Sequence, residues 1–125
     1  MIGDARSLRN LLGVHSDLVR VVNRAHELSA VDFIVTEGVR TPARQQQLLK
    51  AGATQTLNSR HLTGHAVDLA AKVGSQVRWD WPLYAQLATA MKSAARELEV
   101  PIEWGGDWKT FKDGPHFQLP RSSYP

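Results

Sequence analysis

Cysteine is absent from this sequence of 125 residues. A chain without cysteine cannot form disulfides, iron–sulfur clusters or thiolate zinc sites, and it has no thiol nucleophile. Any metal site must therefore use histidine, aspartate or glutamate.

Long apolar runs are absent as well. No stretch approaches the roughly 18 apolar residues that cross a bilayer. The N-terminal segment MIGDARSLRNLLGVHSD also lacks the apolar core, about 7–15 residues long, of a signal peptide. We therefore expect no membrane insertion, and synthesis in the cytoplasm without a signal peptide.

Charge of one sign is not concentrated anywhere. Lysine and arginine number 15 against 12 acidic residues, and they are scattered along the chain. This mild positive charge favours anionic partners, of which a bacterial wall polymer is one, and we expect no nucleic-acid partner. Hydrophobic residues make up 42% of the chain and charged residues 22%, which predicts one folded domain over residues 1–125.

The spacing of apolar residues predicts helices first and then strands interleaved with helices. The predicted helices are a short one capped by Asp4, one capped by Ser16, a short one from Thr41-Pro42 to Gly52, and the longest from Trp81-Pro82 to Pro101. The predicted strands are 32–36, 65–70, 102–104 and 116–119. This order predicts an α+β fold in which helices pack against a small, mainly antiparallel sheet.

Residues 59–68, SRHLTGHAVD, combine residue types that bind metals. In the predicted strand, Val67 faces the core and Asp68 faces the other way among alanines, so its carboxylate has room around it. His61 can fold back toward Asp68 across a glycine turn. His65 lies two positions before Val67, so its side chain is on the same face of the strand as Val67 and points away from Asp68.

A second pair of such residues, Asp113 and His116, lies near the C-terminus. Two imidazoles and one carboxylate form the ligand set of a catalytic zinc, and a further carboxylate can accept a proton from the water on that zinc. The pattern also allows a purely structural interpretation, in which Asp68 caps a turn while His61 and His116 are ordinary loop and strand residues.

The two segments resemble the paired signatures of the zinc D-Ala-D-Ala carboxypeptidase and L-alanyl-D-glutamate peptidase family. That family includes many phage endolysins and shares its fold with the Hedgehog signalling domain. SRHLTGHAVD matches at the family's serine, histidine, glycine, alanine and aspartate positions, and DGPH, residues 113–116, lies close to the C-terminus as in the family. The resemblance covers about residues 32–119 and implies a Hedgehog/DD-peptidase-like fold.

Specific roles follow from the resemblance. It implies that His61, Asp68 and His116 bind Zn²⁺ and that Asp113 is the general base. It also implies two further residues of the site, which are Arg40, helping to hold the substrate carbonyl, and Trp104, the first tryptophan of WGGDW, lining the site and binding substrate. Ser59 is expected to make a loop-stabilising hydrogen bond, because no free His–Asp pair remains to activate it as a nucleophile.

The resemblance implies a zinc peptidase that cleaves peptidoglycan stem peptides. Small size and the missing signal peptide are typical of a phage endolysin, made in the bacterial host cytoplasm and acting on the wall after release. We therefore expect an L-alanyl-D-glutamate endopeptidase that is a monomer. The alternatives are a D-alanyl-D-alanine carboxypeptidase and a non-catalytic, metal-stabilised wall-binding module.

Non-haem Fe(II) oxygenases also bind their metal through two histidines and one carboxylate. Their first histidine and carboxylate are nearly adjacent in sequence, whereas here they are 68 − 61 = 7 positions apart. The spacing therefore argues against this class.

Overall fold

A computed structural model describes residues 2–53 and 59–125 of the chain. Its helices are α1 (Ala5–Leu11), α2 (Ser16–Leu28), α3 (Pro42–Lys50) and α4 (Trp81–Leu98). Its strands are β1 (Asp32–Glu37), β2 (Ala66–Val73), β3 (Gln76–Arg78), β4 (Glu103–Trp104) and β5 (His116–Gln118). Short 3₁₀ helices span Arg60–Thr63 and Gly105–Asp107. No helix within the described residues has both the length and the apolar composition needed to cross a membrane.

The strands form one sheet in which every pair is antiparallel. Its order is β1-β2-β5-β4, and β3 also pairs with β2. Ala71 and Lys72 of β2 pair with both β1 and β3, so β3 lies on the edge of β2 opposite β1, which is the edge that β5 also uses. The predicted α+β fold with a small antiparallel sheet is confirmed.

One face of the sheet is buried beneath helices. Val67, Leu69 and Phe117 are fully buried on this face, in a core cluster to which α1, α2 and α4 also contribute. The buried residues of α2 are Leu18, Val21, Val22 and Ala25, at the spacing expected of an amphipathic helix. Because side chains alternate along a strand, the residues between the core positions of β2 and β5 point to the opposite face.

Two helix ends differ from the prediction. His15 caps α2, since its Nδ1 accepts a hydrogen bond from the N–H of Asp17 at 3.1 Å, whereas Ser16 already lies in the helix. Helix α4 ends before Glu99, which takes a left-handed conformation with φ of 58°. Pro101 therefore lies beyond the residue at which the helix stops.

The sheet also differs from the prediction. Strand β1 continues to Glu37, and β2 runs from Ala66 to Val73. Strand β3 was not predicted, because it has only three residues and all of them are exposed. It pairs with the end of β2 across the two-residue turn Gly74-Ser75, a local hairpin signal that the prediction overlooked.

Candidate active site

A cavity of about 800 Å³ opens on the sheet face opposite the helical core. Asp68, His116 and Gln118 line it from the centre of the sheet, and Leu48 of α3 lines it from one side. The segment that follows β4 contributes Asp113. The sheet therefore separates an apolar core from a polar site.

The pairing of β2 with β5 sets the first contact of the site. Val67 lies opposite Phe117, and both point into the core. The next pair is Asp68 and His116, which therefore point together into the cavity. The Oδ1 atom of Asp68 lies 3.3 Å from Nδ1 of His116.

The loop before β2 brings His61 to the same place. Ser59 caps the 3₁₀ helix, with its hydroxyl accepting a hydrogen bond from the N–H of His61 at 3.2 Å, which confirms the expected loop-stabilising bond. Gly64 ends this helix with φ of 77°. A Cβ atom on Gly64 would lie 2.5 Å from the carbonyl oxygen of Gly13, so the turn requires glycine for both conformation and space.

Three candidate ligand atoms converge in the cavity. Nε2 of His61 lies 3.2 Å from Oδ1 of Asp68. The ligand atoms of His61, Asp68 and His116 all lie within 4.8 Å of one another. These three residues could hold a metal ion.

The outer hydrogen bonds of the two imidazoles fit a metal site. Nδ1 of His61 donates to the carbonyl oxygen of Gly38 at 2.8 Å, and Nε2 of His116 donates to Oε1 of Gln118 at 2.7 Å. When these rings are neutral, the lone pair of each lies on the other nitrogen, which faces Asp68. Two lone pairs and a carboxylate oxygen directed at one point suit a cation.

The cavity perturbs the titration of the acidic residues. Burial acts to raise the pKa of Asp68, but the hydrogen bonds and positive charge of His116 and His61 outweigh it and hold that pKa well below its ordinary value. Burial and then the charge of Asp68 raise the pKa of Asp113. The two carboxyl groups therefore differ in character, since Asp68 stays ionised while Asp113 binds a proton more readily.

The backbone fixes Asp113 beside the ligands. Its N–H donates to the carbonyl oxygen of Gly105 at 3.0 Å, and its own carbonyl accepts from the N–H of His116 at 3.2 Å. A Cβ atom on Gly105 would lie 2.4 Å from the carbonyl oxygen of Asp113 and 3.1 Å from Cβ of His116. Gly105 therefore has no room for a side chain.

Replacing Gly105 with alanine is expected to destabilise the protein by about 1–3 kcal/mol, the usual cost of overpacking. It should also weaken metal binding, because the new methyl group displaces the backbone between Asp113 and His116. Thermal unfolding and metal titration measure the two effects. Gly3→Ala is the control, since a Cβ at Gly3 meets no atom within 4 Å, and equal behaviour of the two variants would contradict the prediction.

Arg40 lies at the site but is extensively bonded. Its Nε and Nη2 donate to the two carboxylate oxygens of Glu37 at 2.8 Å each, and its Nη1 donates to Oε1 of Gln45 at 2.8 Å. Nη2 also lies 3.4 Å from Oδ2 of Asp68. A guanidinium has five N–H groups, so one N–H on Nη1 has no partner among the described residues. Sequence reasoning missed Glu37 and Gln45, which hold this guanidinium.

Trp104 lies behind the cavity wall and is only 9% exposed. Its Nε1–H donates to the carbonyl oxygen of Gly114 at 2.7 Å, so it supports the loop that carries Asp113. The aromatic residues that line the cavity are Trp79, Trp108 and Phe111, none of which was predicted there. Trp108 and Phe111 depend on the path of residues 105–115, and Trp79 depends on the connection between β3 and α4, neither of which a local pattern indicates.

A family model described as phage L-alanyl-D-glutamate peptidase matches residues 3–119. The chain belongs to this family. The L-alanyl-D-glutamate peptidase of Escherichia phage T5 is 31% identical over 122 residues, which cover 94% of this chain and 88% of the phage protein. The matched range contains the three candidate metal ligands and the candidate base, which are His61, Asp68, His116 and Asp113. Family membership therefore agrees with the geometry of the site.

Solved structures agree with the phage L-alanyl-D-glutamate peptidase family. The crystal structure of the Serratia marcescens L-Ala D-Glu endopeptidase ChiX is similar with a TM-score of 0.92 and 57% identity, covering 97% of this chain and 91% of ChiX. The vancomycin resistance D,D-dipeptidase VanXYg has a TM-score of 0.56 at 19% identity, covering 89% of this chain and 53% of its own. The second likeness concerns the fold alone.

Proposed function

We propose that this protein is a zinc-dependent endopeptidase that cleaves the bond between L-alanine and D-glutamate in peptidoglycan stem peptides. The observation that carries the proposal is the convergence of His61, Asp68 and His116 beside Asp113 in one cavity. Relatives named for L-alanyl-D-glutamate cleavage support the choice of bond. We further propose that the protein is a monomer that acts as an endolysin, made in the host cytoplasm and released to the wall.

The proposed chemistry divides between the metal and the chain. Zinc held by His61, Asp68 and His116 would supply a Lewis acid, which lowers the pKa of a bound water and polarises a carbonyl. A carboxylate oxygen of Asp113 takes the proton of the attacking water, whose oxygen bonds to the L-alanine carbonyl carbon. When the C–N bond breaks, Asp113 gives the proton to the departing D-glutamate nitrogen. The products are an L-alanine carboxylate and a D-glutamate amine.

Arg40 has two proposed tasks. Through Nη2 it orients Asp68, and its geometry is fixed by the paired bonds to Glu37. The remaining N–H on Nη1 is the group that we assign to the substrate carbonyl, as the family resemblance implies for this residue. Such a donor stabilises negative charge that develops on a carbonyl oxygen.

Digestion of purified peptidoglycan tests the proposed function. We expect new D-glutamate amino termini and glycan-linked L-alanine carboxylates, identified by mass spectrometry. Release of terminal D-alanine alone would show the carboxypeptidase instead. Binding to the wall without any new termini, in protein loaded with zinc, would show a non-catalytic module.

A further inference from the structure

Three aromatic side chains line the cavity, here called its aromatic wall, and have no part in the chemistry proposed above. Trp79, Trp108 and Phe111 make up this aromatic wall. Trp79 is 63% exposed and Phe111 38% exposed. Large apolar side chains that stay exposed beside a site are typical of ligand-binding surfaces.

Trp79 packs against a buried ring in spite of its own exposure. Its ring lies parallel to that of Tyr84, with 5.9 Å between centroids and 1° between planes. The hydroxyl of Tyr84 accepts a hydrogen bond from the N–H of Ala71 at 3.1 Å and donates to the carbonyl of Arg78 at 2.7 Å. One face of the indole is thus supported by a fixed ring, and the ring as a whole remains largely accessible to a ligand.

The wall begins at the candidate metal ligands. The ring of Trp108 lies 5.1 Å from the ring of His116, measured between centroids. Trp79 is the most exposed of the three aromatic residues. Glu37 and Arg40 give the α3 side of the cavity a charged lining.

The chemistry of the substrate provides an uncharged group of suitable shape. In peptidoglycan the amino group of L-alanine is acylated by the lactyl group of N-acetylmuramic acid. The sugar ring thus lies one residue from the bond that the proposed function cleaves, and it must lie near the cavity when that bond is at the metal. Sugar rings present a face of C–H groups, which pack well on the face of an indole.

We propose that Trp79 packs against the N-acetylmuramyl ring of the substrate, so that the enzyme prefers stem peptides that are still attached to the glycan. This inference rests on the proposed function. The charged side of the cavity is left for the peptide, whose D-glutamate and diamino acid carry charges. Trp79 thereby determines specificity and takes no part in proton transfer.

Two matched substrates test the proposal. One is N-acetylmuramyl-L-Ala-γ-D-Glu-diaminopimelate, and the other is the same tripeptide carrying only a D-lactoyl group, which keeps the acyl linkage and removes the sugar. We expect wild-type kcat/KM to favour the muramyl compound by about three- to tenfold, the size of effect seen for single aromatic contacts. Trp79→Ala should bring this ratio close to one, and Trp79→Phe should keep most of it.

Controls separate sugar recognition from damage to the fold. Val77→Ala removes an exposed apolar side chain of β3, two residues from Trp79, that is 38% exposed and outside the cavity lining given by the described residues, and it should leave the ratio unchanged. Thermal unfolding shows whether each variant is folded. A wild-type ratio of one, or an equal loss on both substrates in Trp79→Ala, would overturn the inference.

The experiment also distinguishes failure of the proposed function from failure of the sugar contact. If wild-type protein loaded with zinc cleaves neither compound, the endopeptidase assignment is wrong, and calorimetric binding of the two compounds still decides the sugar contact. Tighter binding of the muramyl compound that is lost in Trp79→Ala would uphold it. Equal affinities would overturn it.

Discussion

Replacing Asp113 with asparagine is expected to lower stem-peptide cleavage by about 10²–10⁴-fold, the usual contribution of a positioned general base. Asparagine keeps the volume of the side chain, and the backbone bonds to Gly105 and His116 do not involve the carboxyl group. The amide cannot accept the proton of the attacking water. The three candidate ligands are unchanged, so metal content should stay at one equivalent. Turnover and elemental analysis measure these two quantities.

The same substitution should not destabilise the metal-free protein. Burial raises the pKa of Asp113 above its ordinary value of 3.8, so the unfolded chain loses this proton more readily than the folded protein. The associated stability is present below that ordinary pKa and is lost as pH rises through the folded one. At neutral pH the neutral amide should therefore be at least as stable as aspartate. An unfolding temperature clearly below that of wild type would contradict this.

Asp107→Asn is the matched control for Asp113→Asn. Asp107 is exposed and forms an ion pair with Lys92 at 2.8 Å, so its loss should leave turnover near the wild-type level. If Asp113→Asn remains active while Asp107→Asn does not, the base has been assigned to the wrong carboxylate. If Asp113→Asn loses the metal, Asp113 belongs to the ligand set.

Replacing His61 with alanine is expected to abolish both metal binding and activity. His61 is 1% exposed and supplies one of three candidate ligand atoms, and a site with two protein ligands holds zinc poorly. The affinity for zinc should fall by more than about 100-fold, beyond the range seen when only residues outside the ligand set change. Competition with a chromophoric chelator measures it.

His65→Ala controls for the loss of an imidazole in the same segment. Nδ1 of His65 is bonded to the hydroxyl of Thr63, and its ring lies beside Tyr124, away from the cavity. This variant should keep both metal and activity. If His61→Ala binds zinc as wild type does, the ligand assignment is wrong, and if iron rather than zinc restores activity after chelation, the peptidase chemistry is wrong.

Strand parity was enough to predict the centre of the site. The alternation of Val67 and Asp68 placed one side chain in the core and the other in a cavity, and the structure has both there. The same alternation predicted that His65 points away from the cavity, where the structure also has it. Such predictions succeed because a half-buried strand leaves each side chain only two directions.

Features that depend on loops and long-range pairing could not be predicted. Gln45 is 1% exposed and accepts a hydrogen bond from Arg40 near the start of α3, yet in sequence it is one of three consecutive glutamines. Trp104 ends β4 and Trp79 follows β3, and only the folded chain puts Trp104 behind the cavity wall and Trp79 on it. The sequence identifies the residue types, but the path of the loops in the folded protein determines which of these residues line the cavity.

The pairing of β2 with β5 has a consequence for how the protein can be assayed. Shifting this register by one residue would turn one of the two strands over, so a mispaired sheet would bring either Asp68 or His116 toward the helices and lose part of its apolar core together with one candidate ligand. No partly correct sheet can retain the complete metal site. The metal bound per chain in a preparation should therefore measure the fraction of molecules whose strands have paired correctly.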